Sequence, residues 1–200
     1  MISDSAVSAV FAALARVRGN VRALHPIGRA YRARLELAAD APLAPAPGEA
    51  VARLSRATGL RAPLPDVHGL AFRTGGQDML LSATWHRHLL RPARSIWRGE
   101  LSTILPYEQA GRRFVIGALP AGPGRFLLTD APPWGRWREP WGELTLGAAL
   151  DPDASAALCF HPWNTAPDLV PVGLVNALRR PSYAASQAQR TKPRSTSADA

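Results

Sequence analysis

The 200-residue sequence predicts one α+β domain in which short antiparallel strands close a barrel, with helical pieces at its ends and middle. Three observations lead there. Apolar and polar residues alternate in about seven or eight short stretches, the two-residue period of half-buried strands. Nineteen prolines and 16 glycines supply more turns than a helical bundle tolerates. A three-and-four apolar spacing, the helical period, is clear near the N-terminus.

That first element spans Asp4 to Arg18. Val7, Val10, Phe11, Leu14 and Val17 make one face, Ser3 or Asp4 can cap it, and Gly19-Asn20 stops it. The chain then turns at Pro26 and Gly28. From Ala30 to Leu37, Tyr31, Ala33, Leu35 and Leu37 alternate with Arg32, Arg34 and Glu36, a half-buried strand. A Pro/Ala linker, AADAPLAPAPGE, precedes a second strand, AVARLSRAT, with Val51 and Arg53 on one face and Ala52 and Leu54 on the other. GLAFR and DMLLSATW read as strands joined by a TGGQ turn. The stretch HRHLLRPARSIWRGELSTILPYEQAG is expected to hold one or two short helices. RRFVIGAL, GRFLLTD, WGELTLGAAL and AALCFHPW are again strand-like, bounded by Gly and Pro. Residues 1–190 form the expected domain, and the polar tail TKPRSTSADA, 191–200, is expected to be disordered.

The net charge is +9, and of 24 basic residues only Lys192 is a lysine. Arginine's planar fork suits carboxylates and phosphates. The arginines are scattered rather than gathered into a stripe interleaved with aromatics, which argues against a nucleic-acid partner. Cys159 is the single cysteine, so neither an internal disulfide nor a multi-cysteine metal site is possible. The N-terminal segment lacks a basic n-region, and no apolar run approaches the roughly 20 residues of a membrane span. A cytoplasmic location is the resulting expectation.

Five histidines are candidates for chemistry. His86 and His88 stand two apart without a third ligand, which favours solvated or stacking roles over metal binding. His68 and His161 sit in turn-like contexts and are expected to make local hydrogen bonds. His25 differs, since Pro26 fixes the chain after it and Arg22 lies three residues before it, a setting that suits acid–base work. Near the C-terminus, ALRRPSYAASQAQR places Arg179, Tyr183, Gln187 and Arg190 on one face of a helix. That face reads either as a solvated basic surface or as a phenol held in its anionic form by guanidinium groups.

Taken in order, these fragments resemble a heme catalase. Arg22-Ala23-Leu24-His25, followed by Pro-x-Gly, matches the family's distal R-x-x-H. VARLS stands where the family has V-R-F-S, and DVHGLAFRTGGQDMLLSATW where it has D-x-R-G-F-A and a W-D-L-V strand. Leu158, Phe160, Pro162 and Asn164 match L-x-F-x-P-x-N, and Arg179, Tyr183 and Arg190 keep the spacing of R-x-x-x-Y and the arginine seven beyond. The likeness covers roughly residues 20 to 85 and 138 to 190; the segment between does not align.

The resemblance implies a catalase-like antiparallel barrel with flanking helices, in a minimal version without the family's C-terminal helical domain, binding heme b. It implies Tyr183 as the axial ligand of the heme iron, held as phenolate by Arg179 one helical turn earlier. Arg22, Arg53 and Arg190 would meet the propionates. His25 would move the proton of a peroxide, and Ser55 would hydrogen-bond its other ring nitrogen and fix the tautomer. Two positions depart from the pattern. The family's distal asparagine falls at Ser82 and Ala83, and its histidine after the tyrosine is Gln187. The implied activity is reduction of hydrogen peroxide or organic hydroperoxides, with an organic electron donor as a further partner and oligomers allowed. The alternative is a catalase-fold protein that binds heme or another ligand without catalysis.

Overall fold

The computed structural model describes residues 27–42, 47–60 and 63–173. Eight antiparallel strands close into a barrel: β1 (Ile27–Leu37), β2 (Gly48–Arg56), β3 (Asp66–Thr74), β4 (Gln77–Trp85), β7 (Glu100–Ser102), β9 (Arg112–Pro120), β10 (Arg125–Ala131) and β11 (Gly142–Ala149). β10 pairs with both β9 and β11, and β11 returns to β1, which shuts the ring and leaves no free edge among these eight. Short strands β5 (Leu89–Leu90), β6 (Pro92–Ala93), β8 (Tyr107–Gln109) and β12 (Val170–Pro171) pair at its ends.

The α+β expectation is overturned. The described residues are 52% strand and 4% helix, and flanking helices are absent among them. Their single helix, α1 (Pro152–Ala157), is one and a half turns long and is capped by Asp151, whose carboxylate accepts from Asp153 N. Residues 86–111, expected to hold one or two short helices, instead form β5 to β8. The reason is tertiary: Pro92, Gly99 and Pro106 interrupt any helix, and each short apolar run finds a strand to pair with. AALCFHPW, expected as a strand, is the end of α1 followed by an irregular segment. The helix expected over residues 4–18 and the tail expected over 191–200 lie outside the described residues.

Alternation fills the interior. Ala33 and Leu35, Ala50 and Ala52, Leu70 and Phe72, Met79 and Leu81, Ile116 and Ala118, Phe126 and Leu128, and Leu144 all join one buried cluster. Each fully buried aromatic or aliphatic side chain there contributes about 1.5–3 kcal/mol. Ile96 and Trp97 also reach this core, the indole stacking on Phe126 at 5.1 Å. No helix among the described residues is long and apolar enough to cross a membrane.

Candidate functional site

The two described candidate residues, Arg53 and Ser55, lie on the outer face of β2, beside β1, β3 and β4. Directly paired residues point the same way, so the register sorts side chains into rows. One row is Gly28, Ser55, Gly69 and Ser82; the next is Ala30, Arg53, Ala71 and Leu80; the third is Arg32, Val51, Arg73 and Asp78. The first two rows hold small side chains at six of eight positions. With strands about 4.8 Å apart, the first row is a low strip roughly 14 Å long.

Arg53 and Ser55 point outward yet are buried, at 6% and 8% exposure. An outward arginine on a barrel is normally solvated, so this burial marks the face as covered. The Arg53 guanidinium lies against Gly28: a Cβ at that glycine would stand 2.6 Å from Arg53 Cζ and from the Leu54 carbonyl oxygen. Gly28 is therefore what lets the guanidinium sit flat on the sheet. Ser55 Oγ donates to the Gly69 carbonyl at 3.4 Å, a long bond within the sheet. Of the two residues at the asparagine position, Ser82 shares the outer face with Ser55, whereas Ala83 is buried on the opposite side of the strand.

The third row anchors a crossing segment. Arg73 binds Asp78 through two bonds, at 2.5 and 2.8 Å, and donates to the Cys159 carbonyl at 2.5 Å. The Asp78 carboxylate also accepts from His161 N at 2.8 Å. The hydrogen bonds to Asp78 hold the Arg73 guanidinium above its ordinary pKa, permanently charged. Asn164 Nδ2 donates to Gly76 O at 2.6 Å, and the Phe160 ring lies 5.4 Å from Arg73 Cζ. Leu158 to Asn164 is thereby fastened across the outside of β3 and β4, while Ser155 accepts from Ala30 N at 3.0 Å over β1. A cleft of about 320 Å³ opens beside this row, lined in part by Arg32, Glu49, Val51 and Arg73.

The structure thus brings Arg53 and Ser55 to one covered face. Arg22, His25, Arg179, Tyr183 and Arg190 lie outside the described residues. The Arg73–Asp78 clasp was missed in the sequence, although TGGQ carries the signal for it. Gly75 and Gly76, both with positive φ, make a two-residue hairpin turn that sets Arg73 opposite Asp78.

The remaining histidines make local contacts. His68 Nε2 bonds the Ala93 carbonyl at 3.0 Å, and burial lowers its pKa despite that bond. His161 Nδ1 accepts from Trp163 N, and burial lowers its pKa too. His86 and His88 lie in a turn rather than a strand, and His88 stacks on Trp134. Among the described residues, no group of three or more His, Cys, Asp or Glu side chains gathers to hold a metal ion.

No protein-family model matches this chain, and no curated protein sequence matches it.

Proposed function

We propose that the chain is a small catalase-like heme protein that reduces hydrogen peroxide or an organic hydroperoxide, with peroxidase-type activity prominent. The observation that carries this reading is the pairing of a buried outward arginine with a buried outward serine, Arg53 and Ser55, beside the glycines Gly28 and Gly69. The guanidinium of Arg53 suits a propionate.

Heme b bound there supplies the redox chemistry of peroxide reduction. The protein's own residues supply the rest. Tyr183 would hold the iron and Arg179 would keep its oxygen anionic, since a guanidinium favours the charged form of its partner. Arg22, Arg53 and Arg190 would neutralise the carboxylates. His25 would take the proton from peroxide's inner oxygen and return it to the outer one, as the O–O bond breaks. Ser55 would fix the tautomer that leaves the other ring nitrogen free to accept.

Ser82 favours the non-catalytic alternative, because a short hydroxyl stands where the family places an amide. Spectral titration of the purified chain with hemin separates the readings. A Soret band with high-spin ferric features, lost in Tyr183→Phe, supports a tyrosine-ligated heme protein. An unchanged spectrum in that variant overturns the ligand assignment, and donor oxidation without the His25 dependence overturns the peroxidase.

A further inference from the structure

At one end of the barrel, the β4–β5 hairpin and the loop between β10 and β11 expose four large apolar side chains. Trp134 is 89% exposed, Leu89 62%, Trp85 52% and Leu90 51%. Trp85, Leu89 and Trp134 stand about the same turn, whereas Leu90, the partner of Thr84, points to the other side of the hairpin. Trp85 and Leu89 are direct cross-strand partners, so they share a face. The Trp134 ring lies 5.1 Å from that of His88, the neighbour of Leu89. The His88 ring nitrogens contact the Ile104 and Pro133 carbonyls at 2.7 and 2.6 Å, which ties the hairpin to both adjoining loops.

The exposure is built into the backbone. His86, Arg87 and Ile104 all have left-handed φ, a costly choice for non-glycine residues and above all for a β-branched one. Arg87 N donates to Glu100 Oε1 at 2.8 Å, and Ser102 Oγ bonds the Arg87 carbonyl. Single exposed leucines need no explanation, but Trp85, Leu89 and Trp134 together on a fastened hairpin and loop do.

The charge around them is mainly positive, Glu139 being the exposed acidic residue of the β10–β11 loop. Residues 86–98, HRHLLRPARSIWR, hold four arginines and no acidic residue. Arg94 and Arg98 are exposed, as is Arg136 on the neighbouring loop. Glu100 is already engaged, accepting from the Trp137 indole at 2.6 Å as well as from Arg87 N.

We infer that this end of the barrel docks on an anionic lipid bilayer, with Trp85, Leu89 and Trp134 entering the headgroup boundary and the arginines meeting lipid phosphates. Tryptophan suits the water–lipid interface, and arginine keeps its head in the polar layer while its stem lies on apolar surface. A second copy fits poorly, because a two-fold contact would set the same arginines against each other. Single-stranded nucleic acid would use the arginines and tryptophans but gives Leu89 nothing to bury against. This inference stands apart from the heme reading.

Flotation of the full chain with vesicles tests it, using phosphatidylcholine alone and phosphatidylcholine with about a third phosphatidylglycerol. The protein is expected to float with the anionic vesicles and to stay behind with the neutral ones at physiological salt. Leu89→Ser with Trp134→Ser should weaken vesicle binding at least about tenfold, with the melting curve preserved. Arg94→Glu with Arg98→Glu should weaken it similarly, and added salt should do the same. Failure to float with anionic vesicles overturns the inference, as does equal flotation of these variants. A dimer dissolved by Trp134→Ser, or an oligonucleotide competing the protein off vesicles, also overturns it, in favour of self-association or nucleic acid respectively.

Discussion

Arg73 and Asp78 face each other across the β3–β4 pair and close a two-pronged ion pair, Nε to Oδ1 at 2.5 Å and Nη2 to Oδ2 at 2.8 Å. The carboxylate is fully shielded from solvent while the guanidinium keeps 37% of its side chain exposed. Through Cys159 O and His161 N, the same pair holds the segment that crosses the barrel's outer face. Removing Asp78 leaves the Arg73 charge without its counter-ion and the His161 N–H without its acceptor.

Asp78→Ala should therefore destabilise the protein by about 3 kcal/mol, the lower end for breaking a buried pair, because Arg73 stays partly in water. For a chain of this size that is a fall of roughly 6–12 °C in Tm, read by circular dichroism. Arg73→Met combined with Asp78→Leu should recover most of it, since apolar replacement removes both charges together. An unchanged Tm in Asp78→Ala would show that the crossing segment is held by its other contacts.

The two half-buried histidines make stability depend on pH. Burial lowers the pKa of His68 and of His161 below the ordinary value of 6.5, outweighing the Ala93 carbonyl for one and Asp78 for the other. As pH falls through about 6.5, the unfolded chain takes up protons before the folded one does, so the unfolded state binds more of them in that window. Stability is full above that pH and declines below it, toward the folded pKa values. Urea midpoints at about pH 7.5 and pH 5.5 should fall with acid, and His68→Gln should flatten part of that slope. A slope unchanged in His68→Gln and in His161→Gln would assign the acid sensitivity to carboxylates.

The strands were legible because one face is dry and the other wet. Alternation of Tyr31, Ala33 and Leu35 with Arg32, Arg34 and Glu36 marked β1, and the split of Val51 and Arg53 from Ala52 and Leu54 holds in β2. The middle of the chain was not legible. Leu89, Leu90, Ile96, Trp97 and Leu101 suggest a helical spacing, but they are divided between an exposed hairpin and the closed core. Local pattern cannot distinguish those fates. Arg53 and Ser55 were picked out from the sequence, whereas their burial on an outward face depends on what strands β1 to β3 bring together.

Gly28 should be intolerant of a side chain. A Cβ there would press on the Arg53 guanidinium and, at the same 2.6 Å, on the immobile Leu54 carbonyl. Gly28→Ala is expected to cost about 1–3 kcal/mol, the usual penalty of overpacking, and to displace Arg53 from the strip. Gly147→Ala is the comparison, because its Cβ would meet only the Arg32 carbonyl, at 3.3 Å. Thermal melts of the two variants decide the matter, and equal melting points would mean that the sheet yields at Gly28. If Arg53 binds a propionate as proposed, hemin affinity should fall in Gly28→Ala as well.

Ser82→Asn tests the proposed activity on peroxide. Ser82 stands on the outer face in the row of Ser55, with the buried Gly69 between them. An asparagine there has a longer side chain and a donor amide, so it can hold a second peroxide that a short hydroxyl does not reach. Oxygen release consumes two peroxides, whereas donor oxidation needs one peroxide and an external reductant. Installing the amide should therefore raise oxygen release relative to dye oxidation, by up to about tenfold, the scale of one well-placed hydrogen bond. His25→Ala in the same background should lower both by at least about a hundredfold, the loss expected when a general acid–base group is removed. An oxygen electrode beside a dye-oxidation assay reads the ratio. A ratio that stays fixed in heme-loaded Ser82→Asn would show that this row does not bound the peroxide, whatever the chain does with heme.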